Sequence, residues 1–219
     1  MCLRCGRRLV EQLGFNSLWL SERIGADAPD PVVAMADAAG RTTRLKLGTS
    51  VLVLPGRNPV VLAKELATLA VMSDGRLPPA FGLGVVAPPE LRRVGRLADG
   101  WLPSFVTPAD AEAGGRDIET VAAEHEREIE ADHFGVLIPY TLGAVPDVLA
   151  AQLARRRPDL DDVGELIPCG WDELAATINR FVDVGTTKFV VLPVDEPGDV
   201  DGWDAYLNTA ADALLPLET

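Results

Sequence analysis

Short apolar runs alternate along the chain with longer amphipathic segments. The apolar runs have the length and composition of strands, and the longer segments have helical spacing with Pro, Asp, Asn or Thr at their starts. The predicted strands are 17–21, 45–55, 80–86, 99–103, 134–139 and 188–193, and the predicted helices are 3–14, 32–39, 59–73, 88–98, 107–131, 146–156, 171–184 and 203–214. This alternation predicts an α/β fold of βα units with a parallel sheet.

The strand predicted at 45–55 carries the most informative departure from the apolar pattern. Its residues are mostly apolar, which is typical of a strand buried on both faces. Thr49 and Ser50 interrupt the run at its centre. Buried hydroxyl groups need hydrogen-bond partners, so these two either bond to neighbouring backbone or face a ligand inside a barrel.

The helix predicted at 59–73 is the most apolar helix of the chain. Asn58 and Pro59 mark its start, and its apolar residues cover more than one face. This breadth predicts a helix that is buried on two sides, by its own sheet and by a second surface.

Composition narrows the class of partner. The 219 residues predict one domain, residues 1–219, and the 20 basic and 33 acidic residues give a net charge of −13. An acidic surface repels phosphate groups, so neither nucleic acid nor a membrane surface is an expected partner. We find no apolar run long enough for a membrane span and no signal peptide. With three cysteines, the sequence predicts a cytoplasmic protein.

The residues that most often carry catalysis or bind metals do not form a recognisable set. Cys2 and Cys5 have the spacing of a zinc knuckle, but a second pair of ligands is missing, so we predict no metal site. His125 and His133 flank an acidic segment and are interpreted as solvated side chains. Dinucleotide-binding, phosphate-loop, zinc-protease and serine-hydrolase motifs do not occur.

Several stretches, in order, resemble one family. They are LGFNSLWLSE at 13–22, LGTSVLVLPGRNPVVLAKELATL at 47–69, SDGR at 73–76, GLG at 82–84, LRRVGRLADGW at 91–101 and GTTKFVV at 185–191. Together they resemble the luciferase-like flavin and deazaflavin monooxygenases. The resemblance is closest to the branch that uses coenzyme F420, an 8-hydroxy-5-deazaflavin.

The resemblance implies a TIM barrel with the cofactor ring at the carboxyl ends of the strands. It also implies a cis peptide bond between Ser50 and Val51, where the third strand of the family backs the ring. Glu22, Ser50 and Val51 are the implied ring contacts, with Val53 and Gly84 as further cofactor-binding residues. The implied function is an oxidoreductase that transfers hydride between F420, or alternatively FMN, and a small organic substrate.

The chain also departs from the family. Many relatives have a catalytic histidine just after the Glu22 position, and this chain has Arg23, so the catalytic residues stay unassigned. The first strand and one central unit, between Gly84 and Ala87, are missing, and about six strands remain. We therefore expect a shortened TIM-barrel-like fold. The alternative function is a non-catalytic shortened barrel, acting as a flavin-binding or structural subunit.

The apolar helix also bears on assembly. In the resembling family this region lies at a dimer interface, and unpaired edges of a shortened barrel invite pairing with another chain. We predict a homodimer that packs through helices 31–42 and 59–73. A stable interface of this kind buries more than about 1,200 Å² in total.

Overall fold

A computed structural model describes residues 6–24, 28–77, 82–83 and 86–218. The helices are α1 (Gly6–Leu13), α2 (Pro31–Ala39), α3 (Pro59–Met72), α4 (Pro88–Leu97), α5 (Pro108–Glu124), α6 (Asp147–Arg156), α7 (Trp171–Asp183) and α8 (Val200–Leu214). The strands are β1 (Ser17–Leu20), β2 (Lys46–Thr49), β3 (Gly82–Leu83), β4 (Gly100–Trp101), β5 (Gly135–Tyr140) and β6 (Lys188–Pro193). Short 3-10 helices occupy Ala131–His133, Val163–Leu166 and Leu215–Leu217. The predicted alternation of helices and strands is confirmed.

All six described strands pair in parallel. They form three two-stranded sheets, β1–β2, β3–β4 and β5–β6. The chain divides into two compact units, the first made of residues 1–78 and 196–219 and the second of residues 79–195. That these units make up one domain stays a prediction. Within the described ranges, no helix combines the length and the apolar character that a membrane span needs.

The first unit is built around the β1–β2 pair. Met35 and Ala38 of α2, Leu47 of β2 and Leu69 of α3 form its core with Leu20 of β1. Helix α1 packs against α8 in the same unit. Side-chain caps start the two central helices. Asp30 accepts the backbone N–H of Val32 at 2.9 Å, and Asn58 accepts that of Val60 at 3.0 Å. Each cap precedes a proline at the first helical position, as the sequence indicates.

The strand predicted at 45–55 is shorter and less buried than expected. β2 ends at Thr49, and the chain beyond it leaves the regular ladder. Val51 exposes 60% of its surface and Leu54 exposes 56%, so the prediction of a strand buried on both faces is wrong. Thr49 and Ser50 are half-buried, which lets water reach them. Water can therefore satisfy these hydroxyl groups, and neither a backbone bond nor a ligand is required for that purpose.

Helix α3 is also less buried than its apolar sequence predicts. Leu62 and Leu69 are buried, and Leu66 packs against the core of the first unit. The remaining large apolar side chains of the helix are exposed: Val60, Val61, Val71 and Met72. Within the first unit, α3 therefore buries one face only. The second covering surface that the sequence predicts stays a prediction.

The second unit contains the α4–α5 pair and the β5–β6 sheet. β5 is buried along its whole length and pairs with all six residues of β6. Thr107 and Asp110 form a capping box at the start of α5. The helix ends at Glu124, short of the predicted residue 131. Glu126 has a left-handed φ of 55°, and the Arg127 guanidinium turns back to the carbonyl oxygens of Gly95 and Ala98.

Candidate functional site at the ends of two strands

The chain segments that leave β1 and β2 stay joined beyond the sheet. The backbone N–H of Ser50 donates to the carbonyl of Leu20 at 2.9 Å, and that of Glu22 donates to the carbonyl of Val51 at 3.0 Å. The hydroxyl of Ser21 donates to the carbonyl of Ser50. These bonds tie together the two segments that leave the strands, beyond the last paired residues, Leu20 and Thr49. They place Glu22 beside Ser50 and Val51, the three residues that the sequence predicted as ring contacts.

The Glu22 carboxylate holds the segment after β2. Its Oε2 accepts a hydrogen bond from the backbone N–H of Val53 at 2.7 Å, and its Oε1 accepts one from Nη2 of Arg57 at 2.7 Å. Only 15% of the Glu22 side chain is exposed. Four of the five predicted cofactor residues, Glu22, Ser50, Val51 and Val53, therefore lie together. Their contact with a cofactor stays a prediction.

Arg57 links Glu22 to a second carboxylate. Its Nη2 donates to Oδ2 of Asp30 at 2.6 Å. These hydrogen bonds, from Asp30 first and then Glu22, raise the pKa of Arg57 above its ordinary value. Burial acts to raise the pKa of Asp30, but the hydrogen bonds from Arg57 and from the backbone of Val33 and Val32 outweigh it and lower that pKa. Asp30 and Arg57 are therefore both charged at neutral pH.

The backbone of the site matches what the family resemblance implies, and the apolar residues beside it are exposed rather than buried. The Ser50–Val51 peptide bond is cis, as the family resemblance implied. Val51 and Leu54 present apolar side chains to solvent next to the half-buried Ser50. The site thus combines an apolar surface with backbone polar groups that are held in place.

Glycine at position 48 lets a tryptophan lie across β2. Gly48 pairs with Trp19 in the parallel register, and a Cβ atom on Gly48 would come within 2.7 Å of the indole ring. The indole N–H of Trp19 donates to the hydroxyl of Ser17 at 3.0 Å, which fixes the orientation of the ring. The ring therefore packs directly on the β2 backbone, two residues before Ser50.

The other residues that the sequence singled out have different outcomes. Gly84, like Cys2 and Cys5, lies outside the described residues. Arg23, which stands where many relatives have a histidine, forms an ion pair with Glu196. The structure thus gives this arginine a partner at the surface, and the catalytic residues stay unassigned.

The two histidines lie in the second unit. Nδ1 of His125 is 3.0 Å from the carbonyl of Val121, and Nδ1 of His133 is 2.7 Å from that of Asp99. His133 also lies near Glu130 and Asp132, with ligand atoms within 4.8 Å of one another. Exposed groupings of this kind are common in proteins without a bound ion. We therefore assign no metal site there.

Arg57 and Asp30 are the site residues that sequence reasoning missed. Asp30 stands directly before Pro31 and was interpreted only as the start of a helix. Arg57 was quoted only as part of the family stretch 47–69, with no role of its own. On the α3 side of Arg57, an open depression of about 220 Å³ is lined by Arg57, Asn58, Val61, Leu62 and Glu65. This lining does not include the predicted ring contacts.

The family comparison covers the part of the chain that builds this site. Residues 7–90 match the sequence model of the luciferase-like monooxygenases. The matched segment, which is less than half of the chain, is similar to that family. The match includes β1, β2, Glu22 and the Ser50–Val53 segment, so the resemblance inferred from the sequence motifs is confirmed.

Curated relatives of this luciferase-like segment use two kinds of cofactor, according to their names. An F420-dependent glucose-6-phosphate dehydrogenase of Amycolatopsis mediterranei is 37% identical over 82 residues, which are 34% of this chain and 25% of the relative. The oxygenase component of a flavin-dependent trigonelline monooxygenase of Acinetobacter baylyi is 33% identical over 73 residues, 32% of this chain and 20% of the relative. The matched part thus spans a quarter or less of these relatives.

Solved structures match over nearly the whole chain. An F420-dependent tetrahydromethanopterin reductase of Methanopyrus kandleri has a TM-score of 0.72 at 15% identity and covers 100% of this chain and 96% of its own. The FMN complex of a type II Baeyer–Villiger monooxygenase of Pseudomonas putida has a TM-score of 0.72 at 14% identity, covering 98% and 92%. At this identity the likeness concerns the fold. The predicted fold class, a shortened TIM-barrel-like parallel βα fold, is confirmed.

Proposed function

We propose that the chain binds coenzyme F420, or alternatively FMN, at the carboxyl ends of β1 and β2 and takes part in hydride transfer with a small organic substrate. One observation carries this proposal: the hydrogen-bonded frame joins Glu22 to Ser50, Val51 and Val53 inside the segment that matches the luciferase-like family. Relatives matching this segment are named as F420-dependent and as flavin-dependent enzymes.

The residues of the frame fit a flat ring system. Such ligands need an apolar surface with a few placed polar groups at their edges. Val51 and Leu54 supply exposed apolar surface, and the Ser50 hydroxyl and the backbone of residues 50–53 supply polar groups. Because Glu22 and Ser21 already hold this backbone, it needs little rearrangement on binding, which lowers the entropic cost of binding.

The proposed roles of the cofactor and of the protein residues follow from this arrangement. When bound, the deazaflavin or flavin ring supplies the hydride chemistry. The residues of the chain would bind and orient the ring, with Val51, Ser50 and Glu22 as its contacts. No proton-transfer step is assigned to Arg23, because it is paired with Glu196.

Replacing Val51 with aspartate tests the ring site. The change places a charge on the apolar surface, and we expect the dissociation constant for F420 or FMN to rise about tenfold or more, equivalent to at least about 1.4 kcal/mol. The measurement is a fluorescence titration with each cofactor. The matched control is Val148→Asp, since Val148 is 71% exposed on α6 and lies outside the proposed site. Equal affinity of both variants and the wild type would place the ring elsewhere.

A second measurement distinguishes the oxidoreductase from the alternative, a non-catalytic flavin-binding or structural subunit. The chain is mixed with reduced F420 or reduced FMN and a panel of small carbonyl and alkene compounds, and oxidation of the cofactor is followed by absorbance. Oxidation that depends on both the chain and a compound supports the oxidoreductase. Tight binding without any such oxidation supports the binding subunit, and absence of binding supports the structural one.

A homodimer is the second part of the proposal, and the exposed face of α3 favours it. Val60 and Val71 are eleven residues apart, as are Val61 and Met72, so each pair is separated by about three helical turns and shares a face. We call these four residues the α3 apolar face. Val33 of α2 is also exposed, by 68%. Burying such surface against a second copy is favourable at about 25 cal/mol per Å².

Replacing Val71 with aspartate tests this assembly. We expect the wild-type chain to be a dimer at micromolar concentration and Val71→Asp to be a monomer, because the charge would be buried in the interface without a partner. Light scattering across a dilution series gives the mass, with Val148→Asp as the control again. A wild-type monomer at these concentrations would contradict the proposal.

A cytoplasmic location, away from nucleic acid and membrane surfaces, belongs to the same proposal. It rests on the net charge of −13 and on the three cysteines among 219 residues.

A further inference from the structure

We infer that Arg57 is a positioning residue, which sets the backbone after β2 in the arrangement that the cofactor site requires. This inference rests on the proposed function, because it assigns a role within the same site. Arg57 does not belong to the predicted ring contacts. It acts on them through Glu22 and Val53.

Arg57 joins three separate segments of the first unit. Its Nη2 donates to Glu22 after β1 at 2.7 Å and to Asp30 at the start of α2 at 2.6 Å. Its Nε donates to the carbonyl of Val53 after β2 at 3.3 Å. One guanidinium therefore fixes the segment that follows each strand and the helix start between them in sequence.

The bonds of Arg57 and Glu22 meet at the same residue of the proposed site. Glu22 accepts the N–H of Val53, and Arg57 donates to the carbonyl of Val53. The two polar groups of this residue are therefore both held by side chains that also bind each other. Removing Arg57 frees the carbonyl of Val53 and leaves Glu22 without its cation. The hydrogen bond from the N–H of Val53 to Glu22 therefore weakens as well.

The sequence places Arg57 so that this arrangement forms locally. Its backbone N–H donates to the carbonyl of Leu54 at 3.0 Å, closing a turn, and the next residue, Asn58, caps α3. The guanidinium thus extends from a point fixed by both a turn and a helix start. Only 22% of the Arg57 side chain and 15% of the Glu22 side chain are exposed, so solvent screens this ion pair less than those at the surface.

The chemistry of the site requires arginine at this position. A planar guanidinium presents several N–H groups in a fixed geometry, which lets it bond two carboxylates and a carbonyl together. A lysine ammonium is a compact charge on a flexible stem, and it retains only part of this set. Without any cation, Glu22 and Asp30 repel each other, since both lie within bonding distance of one nitrogen.

Three variants test the inference: Arg57→Met, Arg57→Lys and, as a matched control, Arg76→Met. Arg76 is also a half-buried arginine of the first unit, and it bonds Thr42 and the carbonyls of Leu45 and Ala39 near the start of β2, away from the proposed site. The readouts are amide hydrogen exchange in peptides that cover residues 50–55, and the dissociation constants for F420 and FMN. Both are measured where each variant is fully folded.

We expect Arg57→Met to speed exchange in residues 50–55 about tenfold and to raise the cofactor dissociation constant about tenfold, because each bond to a charged group contributes in this range. Arg57→Lys should recover part of both effects. Arg76→Met should lower the unfolding temperature without changing either readout. The inference is overturned if exchange is unchanged in Arg57→Met, if exchange rises while affinity stays at the wild-type value, or if Arg76→Met has the same effects.

The two readouts keep this inference distinguishable from the proposed function. If the wild-type chain binds neither cofactor, the proposed function fails, and with it the role of Arg57 in placing a ring. The exchange measurement then still decides whether Arg57 holds residues 50–55. Unchanged exchange with intact cofactor binding would refute only the role of Arg57.

Discussion

Replacing Met35 with alanine should lower the free energy of unfolding of the first unit by about 2–5 kcal/mol, the range for removing a large buried side chain. Met35 is fully buried in the core that α2 forms with β1, β2 and α3. Alanine leaves a cavity there, and the surrounding residues lose both burial and packing contacts. Urea denaturation followed by tryptophan fluorescence measures the change, with Trp19 and Trp203 as reporters within the first unit.

The matched control for this change is Met72→Ala, which makes the same substitution at a residue that is 79% exposed. At low protein concentration we expect a change within about 0.5 kcal/mol, as for other surface positions. If the proposed dimer forms through α3, the cost of Met72→Ala should increase with protein concentration, and that of Met35→Ala should not. Equal costs for both variants at every concentration would contradict the burial that separates these two methionines.

These two methionines also show what the sequence pattern could not resolve. Both stand among apolar residues of predicted helices, Met35 in α2 and Met72 at the end of α3. Hydropathy identifies a residue that can be buried, but burial depends on what lies opposite, and this is a tertiary property. The positions of the helices were therefore predicted correctly. Which residues of α3 the first unit buries was not predicted correctly.

The end of β2 was mispredicted for a related reason. The apolar run through Val51 and Leu54 is typical of a buried strand, and it predicted a strand to Pro55. The chain instead leaves the ladder after Thr49, and its backbone groups are taken over by Leu20, Ser21 and Glu22. Apolar residues at the end of a strand have the same composition whether they are buried in a core or exposed at the surface. Composition alone could not separate these two outcomes.

The candidate site was found by family motifs more than by local chemistry. Glu22, Ser50, Val51 and Val53 were named from the resemblance, and the structure brings these four together. Arg57 was missed because its partners, Glu22 and Asp30, are 35 and 27 residues away in sequence. An ion pair over such a distance leaves no periodic signal. Its detection requires the fold.

The pairing of Trp19 with Gly48 leads to the last prediction. Gly48→Ala should lower the free energy of unfolding by about 1–3 kcal/mol, the usual cost of forcing extra volume into a packed region. The added Cβ atom would lie 2.7 Å from the body of the Trp19 ring. A shift of the ring would disturb its hydrogen bond to Ser17. Urea denaturation measures this cost, and a cofactor titration shows whether the displaced ring disturbs the Ser50 segment.

The matched control is Gly40→Ala at the end of α2. Gly40 has a helical φ of −71°, and a Cβ atom there would meet nothing closer than 3.7 Å. We expect this variant to be as stable as the wild type or slightly more stable, because alanine restricts the unfolded chain. In the Trp19→Leu background, Gly48→Ala should cost at least about 1 kcal/mol less than in the wild type, since the clash is then removed. An equal cost in both backgrounds would show that the strain comes from the β2 backbone rather than from the indole ring.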